Sequence, residues 1–147
     1  MDAANQFHVG VVVPDLDAEL DRLTALFGYE WSDEVALTTR VRFPSGEDDV
    51  EVRFRYSKNA PRLEIIQQRP GTLWMPVEGS GLHHLGYWSD DVAADGDALL
   101  AAGYSVEVEG VDESGPPAWA YYGATDRPRI ELVSTTLRPF MEQLWRG

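Results

Sequence analysis

Two histidines and two glutamates recur at matching places in this chain. His8 lies in Phe7-His8-Val9-Gly10-Val11-Val12-Val13-Pro14-Asp15, and His84 in Gly81-Leu82-His83-His84-Leu85-Gly86-Tyr87-Trp88-Ser89-Asp90-Asp91. Each stands two residues before a glycine and seven before an aspartate. Glu64 and Glu131 each sit at the centre of an apolar run, Arg62-Leu63-Glu64-Ile65-Ile66 and Arg129-Ile130-Glu131-Leu132-Val133. A carboxylate buried in such a run is costly unless it is neutralised, paired or bound to a metal. With no cysteine in the chain, a metal must be held by His, Asp or Glu. Two imidazoles with two carboxylates suit one divalent ion: Zn, Ni, Co, Mn or Fe(II). Such an ion polarises a carbonyl, acidifies the neighbouring C–H and holds the resulting enolate or enediolate, and a ligating glutamate that loosens can act as the base. The competing reading is structural: a satisfied core histidine, and salt bridges from Arg62 and Arg129, two residues before each glutamate on the same face.

Alternation along the strands decides which side chains share a face. Phe7, Val9, Val11 and Val13 form one face, leaving His8, Gly10 and Val12 on the other. Leu85 and Tyr87 oppose His84, Gly86 and Trp88, while Leu63 and Ile65 oppose Glu64, and Ile130 and Leu132 oppose Glu131. In all four strands one face is ready to cover a helix and the other presents a single metal-competent group. His83 falls on the helix-covering face and is not expected to be a ligand.

The elements that must position these groups also come twice. Phe7 to Val13 reads as a strand, followed by a helix capped by Asp15, striped by Leu16, Leu20, Leu23 and Phe27 and ended by Gly28. Strands follow at Val35 to Phe43, Val50 to Tyr56 and Arg62 to Gln67, with Pro44 to Asp49 as a turn. The second round is a strand Leu82 to Ser89, a helix capped by Asp90 or Asp91 that runs through Val92, Leu99 and Leu100 to Gly103, and strands Tyr104 to Glu109, Ala118 to Tyr122 and Arg129 to Ser134. The chain therefore divides into a first βαβββ module (1–68), a linker (69–81), a second βαβββ module (82–135) and a helical tail (136–147) in one compact α+β domain.

Composition narrows the function. At 147 residues and 44% apolar content the chain can supply one core. A net charge of −13 argues against nucleic acid and anionic membranes as partners, and no run reaches the length of a membrane span. The expectation is a soluble, cytoplasmic protein acting on a small molecule.

The motifs around His8, His84 and Glu131 resemble those of the vicinal oxygen chelate superfamily, which holds glyoxalase I, methylmalonyl-CoA epimerase, fosfomycin-resistance enzymes, extradiol dioxygenases and bleomycin-resistance proteins. The resemblance runs from Phe7 to Ser134. It implies two βαβββ modules forming a cup-shaped mixed sheet with helices on the outer face, a homodimer, and one metal held by His8, Glu64, His84 and Glu131. The epimerases carry a further catalytic glutamate in the second strand, and Leu37-Thr38-Thr39-Arg40-Val41-Arg42 has none. A glyoxalase-like isomerase or lyase with Glu131 as base, and Glu64 as second choice, fits better. Two other readings stand beside it: an Fe(II) extradiol-type dioxygenase using His8, His84 and Glu131, and a metal-free binding protein of the bleomycin-resistance type for a cationic aromatic ligand. Trp88, Trp119, Tyr121 and Tyr122 are expected to line the cup, with Trp74 and Met75 as a lid. Such a lining implies a fairly large apolar or thioester substrate.

Overall fold

The computed structural model describes residues 1–147. After a 3-10 turn at Ala3–Asn5 come β1 (Gln6–Val13), α1 (Leu16–Phe27), β2 (Val35–Phe43), β3 (Gly46–Tyr56) and β4 (Arg62–Gln67). The order then repeats as β5 (His84–Ser89), α2 (Val92–Ala101), β6 (Ser105–Gly110), β7 (Trp119–Gly123) and β8 (Arg129–Ser134), before a 3-10 turn at Thr135–Leu137 and α3 (Arg138–Arg146). No helix is long and apolar enough to cross a membrane.

The eight strands close into one mixed barrel in the order β1-β4-β3-β2-β6-β7-β8-β5. Within each half the first and last strands run parallel, β1 beside β4 and β5 beside β8. The halves meet twice. Antiparallel β1 and β5 pair along the middle of both strands, whereas β2 and β6 meet only at Val41↔Gly110 and Arg42↔Glu109. The first junction brings the two histidine strands together.

Two helices cover the outside of the sheet. The Asp15 carboxylate accepts from the Ala18 N–H at 3.1 Å, and Gly28 ends α1 at φ 73°, the left-handed region that costs other residues strain. Leu16, Leu20 and Leu23 bury against Val13 and Ile65, each contributing roughly 1.5–3 kcal/mol of transfer free energy. Asp91 caps α2 in the same way, and Val92 and Leu99 pack on Ala120, Tyr122 and Leu132. Phe27 and Leu100, placed on these stripes from periodicity, are instead exposed at the helix ends. The third helix is different, because α3 lies on the concave side, where Leu137 and Met141 pack with Tyr56, Trp88 and Val133.

Three local expectations change. The acidic stretch Gly46 to Asp49 belongs to β3, leaving a two-residue Pro44-Ser45 turn. Cross-strand charge pairs Arg40–Asp49 and Arg42–Glu47, both at 3.4 Å, make that stretch compatible with a sheet. Phe7 leaves the helix-covering face, since the β1–β5 register shifts between Gln6 and His8, and its ring stacks on Trp88 at 3.9 Å. The strand carrying His84 begins at that residue, so His83 precedes the sheet and lies on no helix-facing surface.

Candidate metal centre

Strand register assembles the four predicted residues inside the barrel. His8 pairs with Gly86 and Gly10 with His84 across the β1–β5 ladder, while Gly10 faces Glu64 on β4 and Gly86 faces Glu131 on β8. Each glycine is the space in which the other half's histidine sits. A Cβ on Gly10 would fall 1.9 Å from the His84 ring, and one on Gly86 would fall 2.0 Å from the His8 ring. This reciprocal seating explains why each motif is His-x-Gly.

His8 Nε2 lies 2.9 Å from His84 Nε2, 3.0 Å from Glu131 Oε2 and 3.3 Å from Glu64 Oε2. His84 Nε2 lies 3.1 Å from Glu64 Oε2 and 3.2 Å from Glu131 Oε2, and one ligand atom from each of the four residues fits within 4.8 Å of all the others. Bonds of about 2.1 Å set neighbouring ligands about 3.0 Å apart around an octahedral ion and about 3.4 Å apart around a tetrahedral one, so these separations suit a single divalent ion. Orientation agrees with distance. Both Glu Oε2 atoms are buried without an aligned hydrogen bond although imidazole nitrogens lie within 3.3 Å. The residues therefore fit a metal. The set is complete within one chain.

The arginine alternative does not hold. Arg129 pairs with Glu107, and Arg62 donates to the Ser57 and Lys58 carbonyls while its guanidinium covers Trp145 at 4.1 Å. The two carboxylates, 4% and 7% exposed, have only the histidines to balance them. Burial by itself would lower the His8 pKa, but Glu131 and Glu64 together raise it to about 9. Burial likewise pushes against ionisation of Glu64, and His8 and His84 overcome it, holding that carboxyl well below the usual range. His84 is raised and Glu131 lowered by the same balance. Without a cation the cluster holds its own protons in place of the metal's charge.

Beside the cluster lies a cavity of about 260 Å³ with 14 hydrophobic residues among the 17 that line it. Val35, Leu37, Val52 and Phe54 come from the β2–β3 hairpin, and Leu137, Phe140, Met141 and Leu144 come from the C-terminal tail. Of 25 acidic residues only Glu64 and Glu131 reach it, and no Lys or Arg does. Apart from those two, which face the histidines, the chain's negative charge lies outside the cavity, so its bulk is not available to a ligand there as the cationic-ligand reading needs.

Trp119 and Tyr121 line the cavity, and so does Trp74, with the three rings in edge contacts at 5.8 to 6.3 Å. Trp74 is not a lid. It is 3% exposed and packed with Val12, Val41 and Tyr121 as fixed floor, and Met75 is not among the lining residues. Tyr122 faces outward, its hydroxyl over Gly96 of α2, because alternation turns it away from Tyr121. Trp88 shares the inner face with His84, as alternation requires, but Phe7, Met141 and Trp145 cover it.

Other residues at the site escape pattern reading. Tyr56, directly across from Glu64, mirrors Tyr121 across from Glu131. Burial first, and then the glutamate charges, raise both phenols well above 10, so both stay protonated. The alternation of β3 carries Tyr56's inward phase; its pairing with Glu64 depends on hairpin register. His83 is also at the site, 1% exposed, between His84 and the Leu73 carbonyl. Burial, then the nearby His84, lowers its pKa to about 4, so it is neutral at pH 7. No histidine is left facing the cavity for the acid–base work that the dioxygenase reading asks for.

Comparison with known proteins agrees with this architecture. Among solved structures, a Streptomyces coelicolor methylmalonyl-CoA epimerase variant in complex with 2-nitronate-propionyl-CoA superposes with a TM-score of 0.61 at 21% identity, over 88% of this chain and 96% of that one. Methylmalonyl-CoA epimerase from Mycobacterium tuberculosis gives 0.56 at 17% identity, over 88% and 87%. A variant of 4-hydroxymandelate synthase from Streptomyces coelicolor gives 0.56 at 18%, over 88% of this chain and 38% of that one. At these identities the likeness is one of fold. Among curated proteins none matches the chain significantly by sequence. A family profile covers residues 7–122. The doubled βαβββ order, the barrel it closes and that match together make the chain a member of the Glyoxalase/Bleomycin resistance protein/Dioxygenase superfamily.

Proposed function

We propose that the protein is a divalent-metal-dependent isomerase or lyase of the glyoxalase type, acting on an apolar carbonyl substrate. The convergence of His8, Glu64, His84 and Glu131 beside an apolar cavity carries this reading. A divalent ion held by these four would supply Lewis acidity toward a substrate carbonyl. The rest belongs to the chain's own residues.

Glu131 is the general base. Its side chain is 10% exposed against 5% for Glu64, which gives it more freedom to turn toward a bound substrate. One Glu131 oxygen takes the proton from the carbon beside the substrate carbonyl. Returning it to a neighbouring atom gives an isomer, and loss of a leaving group gives a lyase product. Tyr56 and Tyr121, fixed as neutral phenols, flank the two carboxylates and keep bulk water from them. The apolar walls exclude water from the exposed carbanionic face of the substrate.

The cavity's size and lack of cationic groups favour a neutral apolar reacting end, such as an aromatic or branched α-hydroxy carbonyl compound. The acyl end of a thioester is the second fit, with its carrier outside. Incubation of metal-loaded protein with a panel of such compounds in D2O tests the reading. The expected result is deuterium at the carbon beside the carbonyl, abolished by Glu131→Gln. No exchange with any of Zn, Ni, Co, Mn or Fe(II) would count against it.

A further inference from the structure

His83 is outside the converging set but touches it. Its Nε2 lies 2.9 Å from the Leu73 carbonyl oxygen, and its Nδ1 lies 2.9 Å from His84 Nδ1. A carbonyl oxygen only accepts, so the proton of the first bond sits on His83 Nε2. A neutral imidazole protonated there offers Nδ1 as an acceptor, which makes His84 Nδ1 the donor of the second bond. His84 Nε2, the atom that lies 2.9 to 3.2 Å from the other three groups, is then the nitrogen left to offer a lone pair to a cation in the cluster.

We infer that His83 is a positioning residue of the centre: it passes the direction of the Leu73 carbonyl to His84, fixing that ring's proton on Nδ1 and its ligating nitrogen toward the site. Metal-bound imidazoles depend on such outer partners for tautomer and ring orientation. His8 has no equivalent, since its Nδ1 is buried without a partner. Packing holds the relay in place. The His83 ring stands at 84° to His84 and 72° to Tyr121. Leu73 also precedes Trp74, so the segment that forms the cavity floor is the segment that orients one ligand.

The affinity part of the test rests on the proposed metal site, and the hydrogen-bond part does not. In the metal-free protein labelled with 15N, nuclear magnetic resonance should show through-hydrogen-bond coupling between His84 Nδ1 and His83 Nδ1, with the proton covalently on His84. His83→Phe should remove the coupled proton and weaken Zn2+ binding, measured by competition with a chromophoric chelator, roughly 10–100-fold. His83→Gln, which can donate and accept at once, should keep affinity near that of the unaltered protein. Absent coupling, a proton on His83 Nδ1 instead, or equal Zn2+ loss in the Phe and Gln variants would overturn the relay. Failure of the metal reading itself, seen as no Zn2+ uptake by the unaltered protein, is distinguishable because the coupling is read without metal.

Discussion

The two halves of the molecule share one plan at the candidate metal-binding residues and diverge in what surrounds them. His8 with Gly10 and Glu64, and His84 with Gly86 and Glu131, occupy equivalent register positions, and each glycine seats the other half's histidine. Tyr56 and Tyr121 extend the match one residue further. The divergence begins at the next layer. His84 is tied through His83 to the linker, whereas His8 Nδ1 has no partner and the ring meets the edge of Phe7 at 4.4 Å. The β2–β3 hairpin of the first half has a two-residue turn and gives the cavity a long apolar wall; β6 and β7 of the second half are shorter and offer Trp119 and Tyr121. Symmetry fixes the candidate centre, and asymmetry shapes what can reach it.

The largest break in the symmetry should come from the proposed base. Glu131→Gln is expected to lower turnover by roughly 10²–10⁴-fold, the range for loss of a general base, with little change in substrate binding. The corresponding Glu64→Gln should cost less. Equal losses in steady-state kinetics would make both residues ligands only.

Removing a histidine tests where the halves are alike. His8→Ala and His84→Ala should each weaken Zn2+ binding roughly 100-fold or more, about a quarter of the 10–16 kcal/mol delivered by four-ligand zinc sites. Direct titration should give similar losses for the two. A large difference would mean that one half carries the site alone.

Protonation gives a test without mutation. His8 titrates near 9 in the folded metal-free protein against 6.5 when unfolded, so the folded state binds the extra proton between those values. Its contribution to stability is fully present below about pH 6.5 and is lost as pH rises through about 9, up to roughly 3 kcal/mol. Metal competes for the same nitrogen, so apparent metal affinity should rise over that window. Thermal melts of metal-free protein should thus fall with pH while Zn2+ affinity climbs; parallel trends would contradict the assigned protonation.

The glycines sharpen the comparison further. Gly10→Ala and Gly86→Ala should each destabilise by about 1–3 kcal/mol as the new methyl displaces a ring. Because the three atoms nearest a Cβ on Gly10 all belong to the His84 ring, Gly10→Ala should be nearly neutral in a His84→Ala background. Additive losses in that cycle, read by chemical denaturation, would show that the glycine serves its own strand instead.

Much of this architecture is legible in the sequence because the relevant signals are local. Period-2 alternation assigns His8, Glu64, His84 and Glu131 to one face of their strands, and repetition at matching places marks them as a set. β2, β4 and β8 need no change of bounds for the same reason. What escapes the sequence depends on partners distant along the chain. Alternation cannot separate Tyr121 from Tyr122 until the β7–β8 register sets Tyr121 opposite Glu131. It places Trp88 inward correctly but cannot see that α3 will cover it. Alternation puts His83 on the helix-covering face, because it cannot see that the residue precedes the strand and that its partner is a backbone carbonyl in an irregular linker.

Elemental analysis of protein purified without an affinity tag, alongside the His8→Ala variant, tests the central claim most directly. One divalent metal per chain in the unaltered protein, lost in the variant, is the expected result. Protein that carries no metal, and takes up none from Zn, Ni, Co, Mn or Fe(II), would contradict it.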